Sequence, residues 1–587
     1  MAGNRLRRRR RRAGVAHLSG SKAAPLVAVL AAAPLLFAAL GGAPFDDPGE
    51  GMHAEIAREL SLSGDPLALT LNGVRYVDKP PLFYVLLAAV FALGGEHEGG
   101  ARAVSAGAAL IAVAAVAWLA TRLLDPASGV VAGLALATST GFFAYGRYVR
   151  VETVFLAMLS VGLALTLVGV REGRRAFVIA GLAAFGVAGL TKDPLGAVAP
   201  PLAVGLALRF CGRARPLARW LPWPGLAALL VVGLAWYALD ALTTPGFAWY
   251  TVVDNKLLNV ARARVFPDED VPLGAAEFLA VALLGAVPWI VPAGGALWVW
   301  ARRRGWRDPD EVAWSALTIV AVGVIGLTVL SPFRLPHYGL PAYPAIALLA
   351  ARGWHELNAR ALATAHAALF AVLGAGCAWL ASPLGGAALG DVLGATDVAA
   401  RKAVAAGAVS PLPPPTMLRP LLLAAALVFT AGAVLAAITA ALGAGRRRLG
   451  AFVVVAAMLA LMPVIASALA RVSAYRSVKP IAVALARRAG PEDVVVHEGP
   501  IENSGALEWY SGRRPVLLDG RRSVLGFGAT LADAPDVFWD EARLAVVWRD
   551  QRVWLVTGRP REQSVTRSLP GARLVTSAGG RRLYVNR

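Results

Sequence analysis

Cysteine is nearly absent from the 587 residues: there are two, Cys211 and Cys377, both in or beside apolar segments. That excludes a disulfide-stapled fold and a cysteine-based zinc site. Charge is scarce as well. Only 16% of residues are charged against 57% hydrophobic, which excludes an ordinary soluble domain. Internal repeats of the kind many transporters carry are missing. Acidic residues are the minority, 37 against 58 basic, for a net charge of +21. Such a surplus could suit nucleic acid, but the arginines fall between apolar runs, which is how cytoplasmic loops are marked.

What is present is a succession of fourteen apolar segments, from 24–43 to 449–468. The run "RLRRRRRR" before the first points to an uncleaved span with a cytoplasmic N-terminus rather than a signal peptide. Segment 81–95, about fifteen residues, is too short to cross comfortably and reads as a juxtamembrane or re-entrant helix. About thirteen spans then remain. The basic clusters around Arg122, Arg171/Arg174/Arg175, Arg213/Arg215/Arg219, Arg302/Arg303/Arg304/Arg307, Arg352/Arg360 and Arg446/Arg447/Arg448 all come to lie inside. The expected organisation is a basic cytoplasmic tail (1–23), a polytopic α-helical membrane domain (24–470) with outer loops at 45–100, 243–274 and 383–418, and a periplasmic α/β domain (471–587). That last part shows strand-length runs such as "DVVVHEG" and "RVWLVTG". It carries no nucleophile motif, phosphate loop or metal spacing, so it is not expected to host chemistry.

The charged residues outside the basic clusters gather on the opposite, outer face. In "DDPGEGMHAEIAREL" (46–60), Met52, Ile56 and Leu60 recur at helical spacing with Glu55 and Glu59 on another face, a short amphipathic helix along the membrane surface. Asp46, Asp47 and Glu50 precede it at the mouth of the bundle. In "NGVRYVDKPPLFY" (72–84), two prolines stiffen the chain after Lys79. A lysine near the headgroup plane suits an anionic phosphate, or only snorkels there. Arg150 and Lys192 stand at the same boundary, as do Asp78, Glu152, Arg334 and His337.

These phrases occur in one order: "HAEIAREL", "LNGVRYVDKPPLFY", "FFAYGRYVRVETVFLAM", "GVAGLTKDPLGAVAP" and "FRLPHYGLPAYPAIALL". Together the sequence resembles the bacterial membrane glycosyltransferases of the GT-C type, the branch containing the lipid A aminoarabinose transferase and relatives of protein O-mannosyltransferases. The likeness covers most of residues 24–352. It implies a GT-C-like fold and transfer of a sugar from a polyprenyl-phosphate donor to an envelope lipid, glycan or protein, at the outer face of a bacterial inner membrane. Lys79, Lys192 and Arg150 would hold the donor phosphate. Asp78, Glu152, Arg334 and His337 would complete the site, with a possible divalent metal bridging Asp78 and a ligand such as His337.

One departure bears on catalysis. Where the family carries Pro-Asp-Glu, with the Asp as proposed catalytic carboxylate, this chain reads Pro48-Gly49-Glu50, and His53 replaces the usual Tyr. Glu50, Asp47 or Asp46 is then expected to serve instead, and restoring Asp at 49 to raise or preserve turnover. Asp193 likewise replaces a Gly after Lys192. The competing readings are a polytopic transporter or flippase, and a non-catalytic subunit of an envelope assembly.

Overall fold

The computed structural model describes residues 23–405, 411–443 and 447–587; the basic tail 1–22 and Arg446 lie outside the described residues. Among the described residues seven helices are long and apolar enough to cross a bilayer. There are eight if Pro126–Thr138 and Thr140–Gly146, bent by 68°, form one broken span. The chain is a multi-pass membrane protein. Helix length alone does not yield the expected count of about thirteen. Ala23–Phe37, Leu82–Gly94, Arg175–Thr191, Pro194–Phe210 and Ala275–Leu284 are apolar but shorter than eighteen residues. The apolar stretch 275–300 is two helices, Ala275–Leu284 and Ile290–Arg302, interrupted around Pro288, whose missing N–H cannot continue the ladder.

The helix Val151–Glu172 is the axis of the bundle: 83% of its apolar window is buried, against 28% for peripheral helices such as Trp223–Thr243. Small residues let its neighbours close in. Gly162 faces the Phe185 ring and Gly181 faces Thr166, so the helix Arg175–Thr191 packs against it with little separation. The N-terminal end of this central helix begins after Arg150, which fixes where a site over that end of the bundle must lie.

Residues after the helix Arg447–Arg476 form the small sheet domain. Its strands run in the order Phe538–Trp539, Val516–Leu518, Val494–Glu498, Val553–Thr557, Arg581–Val585, Arg573–Ala578. The first four are parallel and the last two join antiparallel. Val496, Leu518, Leu544, Trp548 and Leu555 fill one face of it.

Two expectations about the outer loops change. The helix Glu50–Ser63 does not lie open on a membrane surface: Glu55 and Glu59 are buried along with its apolar face. The sheet domain covers it. A Cβ built at Gly51 would lie 2.8 Å from the Ala506 Cα, and one at Gly505 would lie 2.9 Å from the Met52 Cα. Each glycine is therefore what lets the two backbones touch. Residues 383–418, read as a loop, contain the helices Pro383–Thr396 and Val398–Ala405. Ser382 caps the first through the Gly385 N–H at 3.2 Å, and Asp397 accepts from the Ala400 N–H at 2.9 Å.

Candidate active site

Three helix ends meet above the central helix. Arg150 is the residue before its first turn and Glu152 lies within that turn, where the helix dipole favours a carboxylate. Lys192 closes the helix Arg175–Thr191, where the dipole favours a cation. Asp193, the residue that departs from the family phrase, caps the next helix by accepting the Leu195 N–H at 2.8 Å, and it also pairs with Lys256. The helical turn Pro336–Ala342 brings His337 to the same place.

Glu152 is the hub. Its Oε1 lies 3.0 Å from Lys192 Nζ and 3.4 Å from His337 Nε2, while its Oε2 has no hydrogen-bond partner among the described residues. Lys192 Nζ also lies 5.6 Å from the Tyr338 ring. Burial holds the His337 imidazole well below its usual pKa, Glu152 opposing and Lys192 and Arg150 adding to the effect, so it is neutral at pH 7.

Lys79 pairs with its neighbour Asp78, whose Oδ1 also accepts from Asn255 Nδ2 at 3.1 Å. Burial alone would raise the Asp78 carboxyl, but Lys79 and Asn255 outweigh it and bring it down to about 2. His53 is not exposed to the site's solvent. Its Nδ1 lies 3.0 Å from the Tyr84 hydroxyl, and burial with Arg150 nearby lowers its pKa to about 3.

Beside this cluster opens a cavity of about 380 Å³. Arg150, His337, Tyr145, Tyr148 and Gly49 line it on the bundle side. Lys402, Asp397, Arg476, Asp268, Asp270 and, from the sheet domain, Glu502 line it as well. Among the described residues no side-chain hydrogen bond or ion pair engages the Arg150 guanidinium. A Cβ built at Gly49 would stand 3.6 Å from its Nη2.

The three acids named as catalytic alternatives are all engaged. Glu50 accepts from Arg102 Nε at 2.8 Å and Nη2 at 2.6 Å, from the Val149 N–H at 3.0 Å and from the Asp46 N–H at 2.9 Å. It does not line the cavity. Asp47 accepts the Val478 N–H at 3.0 Å and the Ala506 N–H at 3.2 Å, tying the sheet domain to the loop. Burial pushes its carboxyl up to about 6, with Asp46 adding and Arg581 and the two N–H donors opposing. Asp46 does line the cavity, but both its oxygens pair with Arg476.

Arg334 lies elsewhere. It donates to the Val329 and Leu273 carbonyls, each at 3.2 Å, and braces that loop. The proposed metal bridge is not assembled. Lys79 sits at Asp78, and Lys192 sits at the carboxylate His337 faces, so ammonium groups stand where a divalent cation would need carboxylate oxygens. The described residues bring three acids within metal-ligand reach only at Glu55, Glu59 and Glu508, where Arg58 and Arg514 pair with them. Sequence reasoning missed Arg476, Asp397, Lys402, Asp268, Asp270 and Glu502. The acidic "PDED" run (267–270) between helices was a signal for two of them; the others lie outside any motif.

Residues 78–237 match the family model described as dolichyl-phosphate-mannose-protein mannosyltransferase. The chain is 28% identical over 319 residues to the undecaprenyl phosphate-alpha-4-amino-4-deoxy-L-arabinose arabinosyl transferase of Edwardsiella ictaluri, covering 52% of this chain and 54% of that protein. It is 28% identical over 338 residues to the corresponding transferase 1 of Sodalis glossinidius, with the same coverage. It thus spans about half the length of the curated relatives it matches. Over its length the fold is that of ArnT from Cupriavidus metallidurans. The structure bound to undecaprenyl phosphate superposes with a TM-score of 0.75 at 23% identity, covering 96% of this chain and 98% of that one. The apo structure gives 0.76 at 21% identity, covering 96% and 97%. The resemblance to the GT-C membrane glycosyltransferases therefore holds in fold as well as in local sequence.

Proposed function

We propose that this chain is a membrane glycosyltransferase that moves a sugar from a polyprenyl-phosphate carrier to an acceptor of the cell envelope. The observation that carries the reading is Arg150: a guanidinium lining a cavity at the outer end of the central helix, with no side-chain hydrogen bond or ion pair to it among the described residues. A planar fork of donors in such a place fits phosphate oxygens. The local likeness to arabinosyl transferases named for an undecaprenyl phosphate donor, and the shared fold with an ArnT that binds undecaprenyl phosphate, support the same ligand class.

The chemistry asks for little more. As the bond between the anomeric carbon and the phosphate oxygen breaks, charge grows on the phosphate. Arg150 meets it directly, in surroundings of reduced dielectric, while Lys192 and Lys79 are each paired with a carboxylate, Glu152 and Asp78. Neutral His337 and Tyr145 shape the wall beside the guanidinium. Attack from the opposite face inverts the anomeric centre. In this reading the cavity opens on the outer face of the plasma membrane, the N-terminus is cytoplasmic and the sheet domain is extracytoplasmic. Incubation of the purified protein with undecaprenyl-phosphate-linked aminoarabinose and envelope lipids should release undecaprenyl phosphate and give lipids heavier by one sugar in mass spectra. Absence of both release and undecaprenyl phosphate binding would overturn the reading.

A further inference from the structure

The carboxylates on the cavity wall are not alike. Asp46 and Asp397 pair with Arg476, the latter at 2.7 Å; Asp270 pairs with Lys402 at 3.2 Å, and Asp268 with Arg264 at 3.2 Å. Glu502 is the exception. It stands on the short helical turn Ile501–Ser504 of the sheet domain, 5% exposed, and neither carboxylate oxygen has a hydrogen-bond partner among the described residues. A buried carboxylate without partners is costly to keep and persists where it has another use.

The loop that should supply a base cannot. Gly49 has no side chain, all of Glu50's strong acceptor positions are taken, and Asp47 is pinned by two backbone N–H groups. Glu152 is held by Lys192 and does not line the cavity. Glu502 faces the same space as Arg150, from the opposite domain.

Resting on the glycosyltransferase reading, we propose that Glu502 is the general base of the transfer and that the acceptor presents a neutral hydroxyl. The acceptor O–H proton passes to a Glu502 oxygen as the acceptor oxygen bonds to the anomeric carbon. The bond from that carbon to the phosphate oxygen breaks, and its electron pair leaves on the carrier phosphate, facing Arg150. A hydroxyl fits better than an ionised phosphate. Four of the five cavity carboxylates, Asp46, Asp268, Asp270 and Asp397, are paired with cations, which leaves Glu502 to take a proton, and a hydroxyl has that proton to give where an ionised phosphate has none. Burial raises the Glu502 carboxyl to about 7, with Asp270 and Asp268 adding and Lys402 opposing; this is close to the pKa that best serves a base at neutral pH.

The test uses the full-length protein in detergent, undecaprenyl-phosphate-linked aminoarabinose as donor, envelope lipids as acceptor, and undecaprenyl phosphate alone as binding probe. Glu502→Gln is expected to slow transfer by about a hundred- to ten-thousand-fold with undecaprenyl phosphate affinity and donor KM unchanged; the unchanged affinity also reports a folded site. The wild-type rate is expected to climb with pH through the neutral range. That limb should vanish in Glu502→Gln and move in Glu502→Asp, which should recover part of the rate. A Glu502→Gln variant at wild-type rate would overturn the proposal. So would a defect confined to donor KM with the pH limb intact, which would make Glu502 a binding group for the sugar amine. A wild-type protein that neither binds undecaprenyl phosphate nor transfers sugar would instead overturn the reading on which the proposal rests.

Discussion

Gly49 stands against Arg150 in a conformation with φ at +133°, and a Cβ built there points at the guanidinium from 3.6 Å. With glycine at 49, this position sets no carboxylate against the Arg150 guanidinium. Gly49→Asp would set an acid against Arg150 at a backbone position that disfavours any side chain. The expected result is the reverse of the gain in turnover anticipated from the family phrase. Undecaprenyl phosphate affinity should fall about tenfold or more, and thermal stability should drop by about 1–3 kcal/mol, read by binding and by melting in detergent.

Glu50 and Arg102 hold the loop to the bundle. Arg102 also donates to the Leu40, Ala43 and Pro44 carbonyls, so Glu50→Gln leaves a buried cation half-satisfied. The expected cost is about 3–5 kcal/mol, seen as lost stability. The protein that remains folded should keep its rate per molecule. A large fall in rate at unchanged melting temperature would instead make Glu50 the base.

Gly51 and Gly505 set the distance between loop helix and sheet domain. Gly51→Val should force the two apart, exposing buried Glu55 and Ala506, and lower stability by about 1–3 kcal/mol as overpacking does. Limited proteolysis should then release the sheet domain faster than in the wild type, whereas Gly64→Ala, at an open helix end, should leave the release rate unchanged.

The buried acids of the joint give a pH dependence of known sign. Asp47 titrates at about 6 when folded, above roughly 3.9 for an unfolded aspartate. The folded state therefore binds the extra proton between those values. Its stabilising contribution is complete below about pH 4 and lost as pH rises through about 6, at about 1.4 kcal/mol per pH unit. Asp47→Asn should flatten that slope in a plot of melting temperature against pH. An unchanged slope would mean that Asp47 is not the group responsible.

The cluster around Glu152 was legible because its members sit at segment ends, where a charge must be either solvated or used: Arg150, Glu152, Lys192 and His337 come from three separate stretches and meet. Lys79 was legible as part of the same boundary, but the structure gives it Asp78 as a partner rather than open space. The sheet domain could be recognised by its strand-length apolar runs, yet nothing in those runs said where it would dock. That is why the helix Glu50–Ser63 read as surface and proved buried, and why Glu502 could not be found. Its environment is made by Asp268, Asp270 and Lys402, a hundred or more residues away from it in sequence. The helices at 383–405 were masked by proline and glycine, which here open a helix at Pro383 rather than prevent one.

The central claim is that Arg150 receives the carrier phosphate in a sugar transfer. The measurement is the rate of undecaprenyl phosphate release from its aminoarabinose-charged form, in wild type and Arg150→Ala, at saturating envelope lipid. Release by the wild type, slowed about a hundredfold or more in Arg150→Ala with weaker undecaprenyl phosphate binding, is the predicted result; no release by the wild type, or equal release by the two, would contradict it.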